Sequence, residues 1–293
     1  MTNLTKRVAV AAVGIPLAVG VVFLGGWFFT VAITLIALQA LREFYHLAES
    51  KHASPNQTVG LVWLLAIMLE VGLQMIGEGE WGILGVASAV GLLLMAGTIT
   101  TLSFELFRAR ENAILNTSLT AFGVLYIGLC MTPLIVLRNV SRADLQGMWG
   151  EAGAALVLTL FVSVWLADTG AYFVGMSIGK HKLFPRVSPK KSWEGAIGGL
   201  VASTLTFWGM GAWLLPGIDA ATAIICGVAV GIVGPVGDLA ESLLKRDAVV
   251  KDSSGILPGH GGLFDRFDSM LFAAPVVFII LYASKIIAIL GVR

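Results

Sequence analysis

Charge is what this sequence has least of. Only 13% of its 293 residues are Asp, Glu, Lys or Arg, against about 25% in an ordinary soluble domain. A soluble globular class is thereby excluded. Cysteine is almost absent as well: Cys130 and Cys226 both fall inside apolar runs. A disulfide framework and a thiolate metal site are excluded, and both residues read as small buried hydrophobes. Histidine is equally sparse, with four in the chain. No second His or Cys stands near His260, which argues against zinc there. The net charge of +1 carries no argument about nucleic acid, and no nucleic-acid partner is expected. There is no low-complexity segment and no clear internal repeat. The first apolar run follows a basic start, but no convincing cleavage site follows it, so it reads as an uncleaved helix.

What remains is apolar sequence, 57% of the chain, in runs near the roughly 18–20 residues that span a bilayer. The expected class is an all-α polytopic membrane protein of about nine spans. These lie near 8–24, 27–41, 59–76, 82–104, 118–137, 153–176, 196–216, 220–244 and 269–289, with the first break at Gly25-Gly26. Residues 1–150 supply about five helices. Residues 151–293 supply about four more, with two cytoplasmic loops and the candidate chemistry. With the N-terminus in the cytoplasm, fifteen of the nineteen Lys and Arg fall in cytoplasmic segments. The exceptions are Arg138, Arg142, Lys285 and Arg293. The bias predicts a cytoplasmic N-terminus and an external C-terminus in a bacterial-type inner membrane.

Three polar constellations interrupt the oil. Asp168, in "WLADTGAYFVG", sits inside a span. An ionisable group there usually faces the protein interior or a wet cavity, though a helix-packing carboxylate is the plainer alternative. The segment "GKHKLFPRVSPKKSWEG" gathers five cations, among them Lys180, Lys190 and Lys191, with Ser188. It reads as a phosphate-binding loop or as a topology signal beside anionic headgroups. In "GDLAESLLKRD", Asp238, Glu241, Ser242 and Lys245 share one helical face at i, i+3, i+4 and i+7. That face is expected to point into a cleft near the cytoplasmic surface. A solvated last turn would produce the same spacing.

The richest stretch, "KDSSGILPGHGGLFDRFDS", adds Lys251, Asp252, His260, Asp265, Arg266 and Asp268. Its "GHGG" run lets backbone N–H groups of Gly261 and Gly262 approach a ligand. Carboxylates suit hard Mg²⁺, which also takes substrate phosphates, and Lys and Arg neutralise phosphate oxygens. Together they point to metal-assisted phosphoryl-group chemistry. An ion-coupled transporter would also use intramembrane Asp168 and Asp238. So much chemistry at one surface of one half fits transport poorly. A scaffold for anionic lipids is a third reading.

The run from Ser242 to Asp268, "SLLKRDAVVKDSSGILPGHGGLFDRFD", resembles the signature of phosphatidate cytidylyltransferases (CDP-diacylglycerol synthases). "ADTGAYFVG", "SPKKSWEG" and "GDLAESLLKR" are similar to other blocks of that family. Residues 160–270 carry the likeness tightly; the first 150 resemble the family only as generic apolar helices. The resemblance implies a reaction of CTP with phosphatidic acid giving CDP-diacylglycerol and pyrophosphate. It implies Mg²⁺ dependence, with one or two ions and with Asp238 and Asp265 as ligands. It also implies a homodimer in contact with membrane lipid. Asp168, Asp238, Lys245, Arg246, His260, Asp265 and Arg266 take the catalytic roles. Substrate binding then falls to Lys180, Ser188, Lys190, Lys191, Glu241, Ser242, Lys251, Asp252, Gly261, Gly262 and Asp268. Another lipid phosphotransferase acting with CTP is the enzyme alternative. The D-G-x-x-A-R block of CDP-alcohol phosphotransferases is missing.

Overall fold

A computed structural model describes residues 3–76, 82–108, 110–140, 152–257, 259 and 261–289. Ten α-helices make up most of it: α1 Asn3–Leu24, α2 Gly26–Glu49, α3 Gln57–Ile76, α4 Gly82–Arg108, α5 Ala113–Gly123, α6 Cys130–Arg138, α7 Ala152–Ile178, α8 Trp193–Leu214, α9 Ala220–Asp247 and α10 Phe264–Ile289. A π-helical turn, Val124–Leu129, joins α5 to α6, so Ala113–Arg138 is one continuous span. Among the described residues eight helical stretches are long and apolar enough to cross a membrane, and Ala12–Leu24 is a shorter ninth. The expected all-α polytopic class is the observed one, and the chain is an integral membrane protein.

Two compact units divide the chain. One comprises Met1–Asn139 with Leu244–Phe267, and the other Val140–Leu243 with Asp268–Arg293. The first unit thus holds α1–α6 together with the last turn of α9, the segment after it and the first turn of α10. Its core is built from Ile33, Leu41, Leu64, Ile67, Met131 and Leu134, all at most 3% exposed. The break between α1 and α2 falls at Gly25, as expected, with φ +58°. Arg138 reinforces it: its buried guanidinium donates to the carbonyls of Val22 and Phe23 at 2.5 and 3.1 Å. These carbonyls belong to the unsatisfied last turn of α1.

The turn between α2 and α3 is held by side chains of α5. Asn116 Oδ1 accepts from Ser54 N at 2.7 Å and Thr120 Oγ1 accepts from Asn56 N at 2.7 Å. Below them Tyr45 donates to the Thr120 carbonyl at 2.9 Å. The span expected to close at residue 41 continues to Glu49. Arg42 and Glu43 do not end the helix, because Glu43 is buried and supplied with donors.

In the second unit α7 and α8 pack backbone to backbone. A Cβ on Gly199 would stand 2.8 Å from the Ala167 carbonyl oxygen, and one on Gly195 would stand 2.8 Å from that of Ala171. Small residues are the means by which membrane helices approach this closely. Ahead of α8 the basic segment is not a plain loop. β1, Lys182–Phe184, pairs antiparallel with β2, Ser188–Ser192, bringing Lys182 opposite Ser192 and Phe184 opposite Ser188. Buried Val187 anchors the turn. Ser192 then caps α8, its Oγ accepting from Gly195 N at 3.2 Å. Asp219 caps α9 through Thr222 N at 2.9 Å and Thr222 Oγ1 at 2.6 Å. Those bonds, the hydroxyl's first, hold the Asp219 carboxyl below the usual carboxylate range.

Candidate active site

The signature stretch folds around Asp265. This residue stands in the first turn of α10 rather than in the loop, where a carboxylate meets the positive end of the helix dipole. It is buried, and four donors converge on it. Lys245 Nζ reaches Oδ1 at 2.6 Å. Oδ2 receives Gly262 N at 2.7 Å, Ser253 N at 2.9 Å and Ser253 Oγ at 3.0 Å. Gly261, at φ +80°, turns the backbone tightly enough to aim the next N–H at this carboxylate. Leu257 N bonds to the Gly261 carbonyl at 2.9 Å and closes the loop before it.

A second carboxylate underpins the same stretch, and it comes from α2. Glu43, 1% exposed, accepts Ser253 Oγ at 2.7 Å, Ser254 Oγ at 2.8 Å, Phe264 N at 2.9 Å and Leu263 N at 3.2 Å. Gln39 Nε2 adds a fifth donor at 3.2 Å. Sequence reading passed over Glu43 because the signature lies some two hundred residues away. A signal was present: an ionisable residue inside an apolar helix is costly and calls for partners. Phe44, next to it, and Tyr126 in the π-turn both set their rings edge-on to Phe264, at 6.4 and 5.9 Å between centroids. The first residue of α10 is therefore held by aromatic packing as well as by hydrogen bonds.

The second unit brings together the other expected groups. Asp238 Oδ2 meets Lys191 Nζ at 2.6 Å, and Asp238 Oδ1 accepts Ser242 Oγ at 3.2 Å. Lys191 belongs to β2, so the hairpin delivers a cation to the polar face of α9. Glu194 clasps the hairpin base. It accepts the backbone N–H groups of Lys180 and His181 at 3.2 and 3.3 Å and meets His181 Nδ1 at 2.6 Å.

The expected face of α9 is real but is not open. Glu241, Ser242 and Lys245 are all buried, at 0%, 9% and 9% exposure. Ser242 donates to Asp238 and Lys245 contacts Asp265 at 2.6 Å, which makes the burial of these two tolerable where bare polar groups would not be. Lys180, Lys190, Lys251, Asp252 and Arg266 are exposed, and Ser188 is half-buried. Arg246 is exposed and donates to the Val250 carbonyl at 3.0 Å. Asp168 is exposed on α7, and half-buried Asp268 accepts its neighbour Ser269 N at 2.6 Å. His260 lies outside the described residues.

The donors suit Mg²⁺ in kind. Asp238 and Asp265 offer hard carboxylate oxygens, and each already faces one positive charge. Among the described residues no three His, Cys, Asp or Glu side chains come together as a metal cage. Mg²⁺ commonly takes such oxygens from one or two carboxylates and completes its shell with phosphate and water.

A model of the cytidylyltransferase family matches residues 5–284. A phosphatidate cytidylyltransferase of Synechocystis sp. is 32% identical, with 94% of this chain and 95% of the relative covered. One of Staphylococcus aureus is 32% identical, covering 95% and 99% of the two chains. One of Staphylococcus epidermidis is 31% identical, covering 94% and 98%. Matched along nearly its whole length, this chain belongs to the cytidylyltransferase family.

Proposed function

We propose that this chain is a phosphatidate cytidylyltransferase: it transfers the cytidylyl group of CTP to phosphatidic acid, giving CDP-diacylglycerol and pyrophosphate. The observation that carries the reading is the likeness to phosphatidate cytidylyltransferases over 94% of the chain. A phosphate oxygen of phosphatidate attacks the α-phosphorus of CTP. The bond from that phosphorus to the oxygen bridging to the β-phosphorus breaks, and pyrophosphate leaves. The nucleophile is already an anion, so no strong base is required. That suits a region built of carboxylates, lysines and backbone donors.

Charge accumulates on the leaving pyrophosphate, and fixed cations stabilise it. Lys191 exchanges its Asp238 partner for a phosphate oxygen. Lys180 and Lys190 extend the basic hairpin, and Ser188 donates from β2. Arg246, Lys251 and Arg266 supply further cations, and His260 a further donor. Gly261 and Gly262 keep side chains away from the phosphates. Asp168, Glu241, Ser242, Asp252 and Asp268 orient these groups. Mg²⁺ held by Asp238 and Asp265, as one or two ions, would neutralise phosphate charge and polarise the α-phosphorus.

The lipid stays in the bilayer while CTP enters from water, so the reaction belongs at the cytoplasmic membrane surface. The N-terminus is then cytoplasmic and the C-terminus external. A reporter fused after Arg293 should lie outside and one near Lys182 inside; both on one side would overturn this orientation. The working form is a homodimer, to be checked by mass measurement in detergent.

Purified protein given CTP, phosphatidate and Mg²⁺ should release pyrophosphate in step with CDP-diacylglycerol. Release that ignores phosphatidate, or that needs a different lipid acceptor, would overturn the assignment.

A further inference from the structure

We infer that Glu43, on α2, is a positioning residue that holds the 253–265 turn in working geometry; the inference rests on the cytidylyl-transfer reading. Its two oxygens take both hydroxyls of Ser253 and Ser254 and the first backbone N–H groups at α10, Leu263 and Phe264. Ser253 Oγ stands 2.7 Å from Glu43 and 3.0 Å from Asp265, so one hydroxyl is shared between two carboxylates. A continuous series therefore runs from Glu43 through Ser253 and Asp265 to Lys245, on three helices and one loop. Glu43 touches none of the cations assigned to phosphate. Its effect on the reaction passes through the turn.

The turn is shaped to admit this carboxylate. A Cβ on Gly262 would collide with Glu43 Oε2 and Ser253 Oγ, so the glycine makes room for Glu43 while its own N–H donates to Asp265. The carboxylate form is also required. Leu263 N points at Oε1 and Phe264 N at Oε2. An amide in either orientation would turn an –NH₂ donor toward one of these N–H groups and leave it without an acceptor.

The test pairs Glu43→Gln with Glu105→Gln in the full chain. Glu105 is a buried carboxylate of the same unit that binds Arg108 at 2.9 Å and Asn116 at 2.7 Å and does not touch the turn. Amide hydrogen exchange and steady-state kinetics are measured on both. Glu43→Gln should raise exchange across residues 252–265 by about tenfold or more and leave α3 unchanged. It should lower kcat at least about tenfold, while KM for CTP and for phosphatidate moves less than about threefold. Glu105→Gln should lower the unfolding midpoint and leave exchange in the turn and kcat normal. A merely structural Glu43 would make the two variants alike, and that result would overturn the inference. Should Glu43→Gln fail to fold, Ser253→Ala with Ser254→Ala removes the two hydroxyl donors and leaves α2 intact. Normal exchange and normal kcat in that double variant would overturn the inference equally. A wild-type chain that makes no pyrophosphate would sink the cytidylyl-transfer reading instead, while the exchange comparison still decides whether Glu43 holds the turn.

Discussion

The Lys245–Asp265 and Lys191–Asp238 pairs have the same 2.6 Å length in different surroundings. Side-chain exposures are 11% and 3% in the first, and 27% and 31% in the second. Asp265 also receives two backbone N–H groups and a serine, whereas Asp238 has one serine beside its lysine. An ion pair's distance therefore says little about its energetic meaning. A buried pair cannot lose one member without stranding the other charge, at a cost of about 3–5 kcal/mol. A half-exposed pair contributes at most about 1 kcal/mol, because water replaces the partner. The Asp265 carboxylate is buried among four donors. The Asp238 carboxylate keeps a half-exposed lysine that water can also reach.

The buried pair should show the largest effects. Asp265→Asn should cut turnover at least about a hundredfold, roughly 2.7 kcal/mol of transition-state stabilisation, and should also lower the denaturation midpoint. Lys245→Ala should destabilise by about 3–5 kcal/mol. Wild-type stability in both would remove the distinction between the pairs. Asp238→Asn should lose activity on the same scale, yet its unfolding free energy should stay within about 1 kcal/mol of wild type. A large stability loss there would mean that the second pair is structural too.

Lys191→Ala and Lys190→Ala should each lower turnover about tenfold or more at sub-saturating CTP and lipid, roughly 1.4 kcal/mol. Lys190 sharpens the point, because it is exposed and any loss there reflects ligand rather than fold. Full activity in both would take the hairpin out of phosphate binding. The smallest effect belongs to Ser192→Ala, which removes the α8 cap. It should cost about 1 kcal/mol of stability, read as a lower midpoint, with turnover of the folded protein little changed.

Much of this arrangement was legible in the chain. The spans follow from apolar runs of bilayer length, and the first break follows from paired glycines. The Asp238–Ser242 contact follows from i, i+4 spacing on α9. The basic segment announced its cations but not its strands. Pairing Lys182 with Ser192 depends on where Val187 is buried and on Glu194 reaching back, and neither is visible in a local pattern. The last span was expected to begin at residue 269, which left Asp265 ahead of it. The helix starts earlier because Glu43 and the rings of Phe44 and Tyr126 hold its first residue.

The sequence by itself determined that the chain lives in a membrane, that its charges collect in a few short segments, and which residue types those segments offer. Composition and 3.6-residue periodicity are local properties, and hydrocarbon thickness converts them directly into helices. Only the tertiary structure decided which carboxylates are buried among several donors and which stay half-exposed. That difference is made by burial and by donors from distant residues, as when Glu43 meets Ser253 across 210 positions. Such a contact exists only after the helices pack, because a carboxylate in oil is tolerable only once its donors have arrived.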